Sequence, residues 1–454
     1  MRTTGFRSMV LYLLLAAFLG GLGYLLVNLA LKGGQWAMQP YNGHVYAENS
    51  TVKLGDISDR DGNLLATTQD GYRVYSGDES VRRALLHTVG DSAGYISTSV
   101  QYTMRSRLSG YNIVTGLNDP VFNRLGSNIA LTVDQNACAA AYNALGGKNG
   151  AVLVYNYQTG EILCKVSAPT FDPQSPPEDL ETNEAYKGAY LDNTLSGSFT
   201  PGSIFKIVTA AAAMERYPDS WSSITYDCSG AVTLESSDVT CLHGNAHGTQ
   251  DMAAALGNSC NVYFAQLAND LGAEALEEKA EEMGFNRSFR FGSVPVSESS
   301  IDLSGANGNE LGWAGVGQYT VLANPYHMMV LMGAVANGGE YAEPRLTQDT
   351  DLLENLTGGS RKLVSATEAQ NLKALLRGNV ENYYGDWLFP DGMNVCAKTG
   401  TGEVGDGQGP NCWMIGFCDS QRYPYAFAVL VEDGSGGIES AGGVASAVLS
   451  ALGA

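Results

Sequence analysis

Positive charge is scarce in this 454-residue sequence. It contains 26 Lys and Arg against 47 Asp and Glu, which gives a formal net charge of −21 at pH 7. Nucleic-acid surfaces need Lys and Arg to neutralise phosphates, so this balance argues against a nucleic-acid partner. Closely spaced cysteine pairs are also lacking, because the eight cysteines form no Cys-x-x-Cys motif. Without that ligand spacing, the sequence predicts no metal site and no cofactor.

Long hydrophobic runs are limited to one, at the N-terminus. The run from Met9 to Leu31 holds no charged residue. At 1.5 Å per helical residue it is long enough to cross a hydrocarbon core of about 30 Å. Arg2 and Arg7 precede it, which predicts residues 1–8 in the cytoplasm and everything after Lys32 outside. A cleaved signal peptide has a shorter apolar stretch, so we expect an uncleaved, single-pass anchor in the cell membrane.

Disulfides can persist outside the membrane, and one pair of cysteines is a candidate. Cys228 and Cys241 flank a short polar segment, so we expect them to be bridged, with two free buried thiols as the alternative. Cys412 and Cys418 lie in one predicted strand, where six residues span roughly 20 Å. That distance is too long for a bridge, so both are expected in the core.

The length predicts two parts outside the membrane, since a chain of this size exceeds what one core usually organises. We assign residues 32–145 to a linker and a small stalk domain, and residues 146–454 to a larger catalytic domain. The stalk contains the stretch GDISDRDGNLLA, in which Asp61-Gly62 predicts a hairpin turn.

The larger domain begins and ends with β-rich runs. Near Asn149 two such runs flank a polar turn at residues 158–160, and three more follow Asn394 with short connections. This order predicts an opening hairpin and a closing antiparallel meander. Between them lie four helical runs, which begin at Ile204, Val262, Glu274 and Pro325. The predicted fold class is therefore α+β, with one antiparallel sheet covered by helices.

A Ser/Lys pair follows a Pro-Gly turn in the segment 200–206, TPGSIFK. Pro favours a first helical turn, so Ser203 is expected near a helix N-terminus, with Lys206 on the same helix face. A lysine can activate a serine at neutral pH only if its pKa is lowered. The pattern alone is weak, because Ser50 and Lys53 repeat it in the predicted linker.

Two further motifs strengthen the case for a serine enzyme. Ser259 and Asn261 enclose Cys260 just before a helical run, where they could also form an ordinary helix cap. The segment Lys398-Thr399-Gly400-Thr401 lies in a β-rich run, where Gly permits close approach of a ligand backbone. Strand alternation sends Thr399 and Thr401 to one face. The alternative for this segment is a simple edge strand with a charged residue.

The motifs Ser-x-x-Lys, Ser-x-Asn and Lys-Thr-Gly, in this order, resemble those of penicillin-binding proteins and serine β-lactamases. The resemblance to class B penicillin-binding proteins covers most of residues 130–435. It includes LTVDQNACAAAYNAL, GAVLVYNYQTGEILCKVSAPTFDP, GVGQYTVLANPYHMMVLMGAVANGG and CWMIGF. GDISDRDGNLLA resembles the stalk hairpin of the family, although Leu54 stands where the family usually has Arg. The resemblance implies a penicillin-binding transpeptidase fold after one transmembrane helix and a stalk.

The resemblance also implies catalytic roles. Ser203 would be the acylated nucleophile and Lys206 its base. Ser259 and Lys398 would relay a proton to the leaving D-alanine.

Substrate-binding roles follow from the same resemblance. Asn261 would hold the peptide backbone of the substrate, and Gly400 would let that backbone approach. Thr399 and Thr401 would bind the terminal carboxylate. The backbone N–H groups of Ser203 and Thr401 would form the oxyanion hole.

The implied function is that of a peptidoglycan D,D-transpeptidase that cross-links stem peptides and is inhibited by β-lactams. A partner glycan polymerase is expected, because no glycosyltransferase-like domain has room before the stalk. The alternatives are a β-lactam sensor, a class D-like β-lactamase or a D,D-carboxypeptidase, and a non-catalytic scaffold is disfavoured by the intact motifs. A β-lactamase needs a second base, for which Glu403 and His247 are the nearest candidates. The acceptor, stem peptide or water, stays open.

Overall fold

A computed structural model describes residues 2–37, 54–111, 126–349, 361–405 and 407–454. Helix α1, Arg2–Ala37, carries an apolar window at Gly5–Leu29 that is exposed throughout. Within the described residues it is the one helix long and apolar enough to cross a membrane. This agrees with the predicted single-pass anchor. The helix continues beyond Leu31 into the segment predicted as a linker. Ser50 and Lys53 lie outside the described residues.

The region predicted as a stalk is a small sheet with short helices beside it. Its elements are β1 (Ile57–Ser58), β2 (Leu64–Gln69), β3 (Tyr72–Tyr75), α2 (Glu79–Ala84), α3 (Leu86–Val89), α4 (Val100–Thr103), α5 (Arg105–Ser109) and β4 (Ile129–Ala130). The strand order is β3-β2-β1-β4. Strands β1 and β2 pair antiparallel around Gly62, which has φ +85°, so the predicted hairpin is confirmed. Strand β4 joins the sheet parallel to β1.

Helices and strands are interspersed through the rest of the described chain. The helices are α6 (Gln135–Leu145), α7 (Lys206–Arg216), α8 (Met252–Gly257), α9 (Asn261–Leu271), α10 (Ala273–Glu282), α11 (Gly308–Gly315), α12 (Pro325–Ala336), α13 (Ala366–Asn379) and α14 (Gly443–Gly453). The strands are β5 (Gly150–Asn156), β6 (Ile162–Ala168), β7 (Tyr226–Cys228), β8 (Ala231–Leu234), β9 (Ser237–Thr240), β10 (Gly248–Gln250), β11 (Phe289–Phe291), β12 (Val294–Val296), β13 (Glu340–Tyr341), β14 (Arg361–Lys362), β15 (Val395–Gly402), β16 (Asn411–Cys418) and β17 (Tyr425–Val431).

The main sheet has five strands in the order β15-β16-β17-β5-β6, and each neighbouring pair is antiparallel. The predicted opening hairpin is β5–β6, and the predicted meander is β15–β16–β17. Both are confirmed, as is the α+β class. Cys412 and Cys418 lie along β16 and are fully buried, as expected. The meander makes β15, which carries the Lys-Thr-Gly motif, the edge strand of this sheet.

The four predicted helical runs correspond to α7, α9, α10 and α12. Helix α12 begins at Pro325 behind the N-cap Asn324, whose side chain accepts the N–H groups of Tyr326 and His327. All of its residues are buried, and it packs against β5, β16 and β17. An apolar helix of this length is a core helix, whereas α1 is three times as long and exposed.

A buried ion pair lies where the stalk meets β6. Lys165 of β6 donates to the carboxylate of Asp192 at 2.5 Å, and both side chains are fully buried. The same amine donates to the backbone oxygen of His87 in α3 at 3.4 Å. Helix α6 also approaches β6, where the N–H of Asp134 donates to Leu163 at 2.8 Å. The stalk and the main sheet therefore share one contiguous core.

Candidate active site

The first motif forms a tight turn before a helix. Residues Gly202–Phe205 form a 3₁₀ turn, and α7 begins at Lys206. Ser203 thus lies in the turn itself, and α7 begins two residues after the predicted start at Ile204. Gly202 has φ +56°, and a Cβ there would lie 2.3 Å from the backbone oxygen of Thr401. Only glycine allows this approach, so the turn is packed directly against the third motif.

The second motif faces the amine of Lys206. The Nζ of Lys206 donates to the backbone oxygen of Ser259 at 2.7 Å and to the side-chain oxygen of Asn261 at 2.7 Å. The Ser259 hydroxyl lies 3.3 Å from the same amine. Ser259 adopts φ +53°, a left-handed conformation that serine rarely adopts. Cys260 then caps α9, and its sulfur accepts the N–H of Tyr263.

The third motif lies on β15. Lys398 is fully buried, and its Nζ donates to the Ser259 hydroxyl at 3.1 Å and to the backbone oxygen of Thr399 at 2.9 Å. Thr399 and Thr401 are half-buried, whereas Gly400 between them is buried, in agreement with the predicted alternation. A Cβ on Gly400 would lie 2.5 Å from the backbone oxygen of Pro201. A side chain at this position would push the first motif away.

Burial without a counter-charge sets the electrostatics of the cleft. Lys206 and Lys398 are both fully buried, and the oxygens that accept from them are neutral carbonyl, hydroxyl and amide oxygens. Burial lowers the pKa of Lys398 to about 7. Burial, and then the charge of Lys398, hold the pKa of Lys206 well below its usual range. The amine of Lys398 is therefore suited to give and take protons near neutral pH, and the amine of Lys206 loses its proton more readily than an exposed lysine does.

One residue of the cleft was missed by the sequence analysis. Tyr384 ends a π-helical turn at Val380–Tyr384 and is buried. Its hydroxyl accepts the N–H of Thr399 at 3.2 Å, lies 3.2 Å from the Thr399 hydroxyl, and accepts from Lys398 at 3.4 Å. The surrounding letters, VENYYG, contain no pattern that marks this tyrosine, because only the packing of the turn onto β15 brings it to the motif.

The predicted disulfide is not formed. Cys228 and Cys241 are neighbours, as expected, but both thiols are free and their sulfurs lie 3.7 Å apart. The sulfur of Cys241 is equally close to two other groups, Cys260 Sγ at 3.8 Å and His247 Nδ1 at 3.7 Å. Cys241 thus has three close neighbours where the prediction gave it one. The alternative of two free buried thiols agrees with the structure.

The fold therefore brings all three motifs into one cleft. Lys206 and Lys398 converge on Ser259, and the Ser203 turn rests against the Lys-Thr-Gly strand. Two lysines of lowered pKa beside a serine can activate an alcohol and return the proton to a leaving group. Glu403 is exposed, and His247 lies among the cysteines.

Comparison with known proteins agrees with this geometry. The family described as "Penicillin binding protein transpeptidase domain" matches residues 150–451. The Mycobacterium tuberculosis protein named peptidoglycan D,D-transpeptidase PbpA is 29% identical over 352 residues, covering 71% of this chain and 70% of that protein. Its Mycolicibacterium smegmatis namesake is 26% identical over 455 residues, covering 90% of this chain and 89% of that one.

Solved structures give the same result. The ceftriaxone acyl-enzyme complex of penicillin-binding protein A from M. tuberculosis superposes with a TM-score of 0.76 at 26% identity. It covers 88% of this chain and 98% of that one. The D,D-transpeptidase domain of a peptidoglycan glycosyltransferase from Eggerthella lenta superposes with a TM-score of 0.72, also at 26% identity, over 88% of this chain and 98% of that one. With its three motifs in one cleft, the chain belongs to the penicillin-binding protein transpeptidase family, among the class B penicillin-binding proteins.

Proposed function

We propose that this penicillin-binding transpeptidase cross-links the stem peptides of peptidoglycan, with Ser203 as the acylated nucleophile. The observation that carries the proposal is the pair of buried lysine amines that meet at the Ser259 hydroxyl, at 3.3 Å and 3.1 Å, beside the Ser203 turn. A relative that covers most of the chain is named peptidoglycan D,D-transpeptidase, and this supports the choice of substrate.

In the acylation step Ser203 attacks the carbonyl carbon between the two D-alanines. Neutral Lys206 takes the hydroxyl proton as the bond between Ser203 Oγ and the carbonyl carbon forms. The backbone N–H groups of Ser203 and Thr401 receive the oxyanion. The carbon–nitrogen bond then breaks, and a proton passed through Ser259 and Lys398 leaves with the D-alanine amine.

Binding of the donor peptide uses the edge of the sheet. Asn261 contacts the peptide backbone, which lies along β15, and Gly400 keeps that strand packed against the Ser203 turn. Thr399 and Thr401 bind the terminal carboxylate. In the second step the amine of another stem peptide attacks the Ser203 ester, and the serine hydroxyl is restored.

The same resemblance and the charge pattern support a location of the catalytic domain on the outer side of the membrane. Arg2 and Arg7 precede the apolar window of α1, and the positive-inside rule puts that end in the cytoplasm. The domain boundaries proposed from the sequence, with a stalk over 32–145 and a catalytic domain over 146–454, fit this arrangement. A membrane glycan polymerase is the proposed partner, since the catalytic domain needs nascent glycan strands.

A β-lactamase or sensor would differ in the fate of its acyl-enzyme. Hydrolysis requires a second base that activates water on the ester. Glu403 points to solvent, and the Nδ1 of His247 lies 3.4 Å from the sulfur of Cys228, so neither candidate serves the cleft. A long-lived penicilloyl enzyme is therefore expected, which favours the transferase.

Labelling with a fluorescent penicillin tests the proposal. The full-length chain in detergent should form a covalent adduct on the tryptic peptide that contains Ser203, and Ser203→Ala should abolish it. Ser50→Ala, in the other Ser-x-x-Lys sequence, is the matched control and should label normally. Labelling that persists in Ser203→Ala would refute the nucleophile. Rapid repeated turnover of penicillin would identify a β-lactamase instead, while D-alanine release with water alone would identify a carboxypeptidase.

A further inference from the structure

Four potential metal ligands meet directly behind the second motif. Cys228, Cys241, His247 and Cys260 each offer one ligand atom, and the four atoms all lie within 4.8 Å of one another. The three cysteines are buried, and His247 is half-buried. We call this group the Cys₃His cluster. The transpeptidase chemistry proposed above uses none of its four side chains.

Local structure brings these residues together from distant positions. Strand β10 pairs with β7 so that Gly248 lies opposite Cys228. This pairing places His247, the residue before Gly248, next to Cys228. The β8–β9 hairpin then returns the chain, and the N–H of Cys241 donates to Gly230 at 2.9 Å. Cys260 joins from the N-terminus of α9. Cysteines 228 and 241 are 13 residues apart, which is why no short ligand motif is visible in the sequence.

Four of the six distances between ligand atoms in the cluster match those of a tetrahedral metal site, and the other two are within 4.8 Å. The sulfur–sulfur distances are 3.7 Å for Cys228–Cys241 and 3.8 Å for Cys241–Cys260. The distances from His247 Nδ1 are 3.4 Å to the Cys228 sulfur and 3.7 Å to the Cys241 sulfur. Tetrahedral zinc, with Zn–S near 2.3 Å and Zn–N near 2.0 Å, implies edges of about 3.8 Å and about 3.6 Å.

We propose that the Cys₃His cluster is a structural Zn²⁺ site. Three soft thiolates with one imidazole are a ligand set typical of zinc. Four protein ligands complete the tetrahedron, so no position stays open for water or substrate, and the ion has a structural role. As each Zn–S bond forms, the thiol proton leaves to solvent, and no electron is transferred.

The proposed ion would fix the position of the second catalytic motif. Cys260 lies between Ser259 and Asn261, both of which accept from the Lys206 amine. The side-chain N–H of Asn261 also donates at 2.8 Å to the backbone oxygen of Thr240, the neighbour of Cys241. The zinc would therefore hold the second motif in two ways. Cys260 is itself a ligand, and Asn261 is hydrogen-bonded to Thr240, next to the ligand Cys241. Its ligands are positioning residues for the cleft.

A disulfide is the competing state of the same atoms. It would use two of the three sulfurs and leave a third thiol and the Nδ1 of His247 in the cluster without a shared partner. It would also require an oxidant to remove two electrons and two protons. A metal ion accounts for all four ligand atoms at once. The geometry therefore favours the ion, and the bridge is an outcome that the experiment distinguishes.

Metal analysis of the tag-free, full-length chain in detergent tests the proposal. Elemental mass spectrometry should find about one zinc ion per chain. The thiols of Cys228, Cys241 and Cys260 should resist alkylation until a strong chelator is added and should then all react. Chelation should also slow penicillin acylation, and zinc, but not magnesium, should restore it.

Matched variants distinguish the ligands of the cluster from other cysteine and histidine residues. Cys241→Ser and His247→Ala should lose most of the zinc, at least about tenfold. Cys138→Ala, in α6, and His243→Ala, on the exposed part of the same loop, should keep it. Should a ligand variant fail to fold, chelation of the folded wild-type chain still decides the question. Three thiols that react before chelation, or a Cys228–Cys241 bridge that survives it, would overturn the proposal.

Discussion

Two regions of this molecule bury lysine in opposite ways. In the cleft, Lys206 and Lys398 lie among neutral oxygens, and burial lowers the pKa of both. At the junction of the stalk with β6, Lys165 is equally buried but contacts the carboxylate of Asp192 at 2.5 Å. Burial alone would raise the pKa of that carboxyl, but the charge and hydrogen bond of Lys165 outweigh burial and lower it.

The difference shows what decides whether a buried lysine is reactive or structural. Lys279 in α10 supports the rule, because three carboxylates surround its amine, one of them Glu368 at 2.9 Å. Burial opposes the charge of Lys279, yet its hydrogen bonds to these carboxylates raise its pKa. A counter-charge keeps the amine protonated, and its absence makes the amine a base. The same side chain thus has a lowered pKa in one place and forms ion pairs in the other.

Replacing the reactive lysine should have the largest effect. Lys206→Met removes the proposed base, so penicillin acylation should fall by about 10³-fold or more, which corresponds to about 4 kcal/mol. The protein should lose little stability, because an apolar chain of similar length replaces a buried amine that has hydrogen-bond acceptors but no counter-charge. Stopped-flow acylation and thermal unfolding measure the two effects. A large drop in stability with acylation retained would show that Lys206 is a structural lysine and not the base.

The structural lysine should show the reverse pattern. Lys165→Met leaves the carboxylate of Asp192 buried and unpaired, so the free energy of unfolding should fall by about 3–5 kcal/mol. Adding Asp192→Asn removes the buried negative charge that has lost its partner, and should recover much of the lost free energy of unfolding. Denaturant unfolding checks both variants, and penicillin labelling of the folded fraction should be unchanged. A double variant no better than the single one would show that charge is not the cause.

The pH dependence should separate the regions as well. Acylation requires neutral amines, and the pKa of Lys398, lowered to about 7, implies a rise of about tenfold between pH 6 and pH 8. Tyr384 and Ser259 face this amine and stay uncharged in that range. The lowered pKa of Asp192 stabilises the fold above the ordinary aspartate value, and this contribution is lost as pH falls through the lowered pKa.

Rates and unfolding measured on one pH series test this separation. Acylation should decline while the protein is still fully folded, and unfolding should begin only in acid below about pH 4. An acylation rate that keeps rising up to the ordinary lysine pKa near 10.4 would show that burial does not lower the pKa of the amine that controls the rate.

The smallest effect is expected for the residue that the sequence analysis missed. Tyr384→Phe removes a hydroxyl that contacts Thr399 and Lys398 but leaves the ring in place. Acylation should fall by about tenfold, which corresponds to one hydrogen bond near the amine. Tyr383→Phe, its half-exposed neighbour, is the matched control and should retain full activity. An unchanged rate in Tyr384→Phe would restrict its role to packing.

Local sequence rules accounted for the architecture. Alternating β-rich runs predicted the hairpin β5–β6 and the meander β15–β17, because strand period and turn residues act over a few positions. The same holds for α12, where Asn324 and Pro325 mark the helix start. Helix α7 begins two residues later than predicted, because residues Gly202–Phe205 form a 3₁₀ turn that packs closely against the Lys-Thr-Gly strand.

The sequence by itself determined the long N-terminal apolar helix, the fold class and the three motifs, because each depends on neighbouring residues. Tertiary structure alone decided which groups surround them. It gave Lys206 and Lys398 their shared serine, brought Tyr384 to β15, and replaced an expected disulfide with the Cys₃His cluster. The physical reason is that pKa and ligand geometry depend on distances between segments far apart in the chain, and only the folded core fixes those distances.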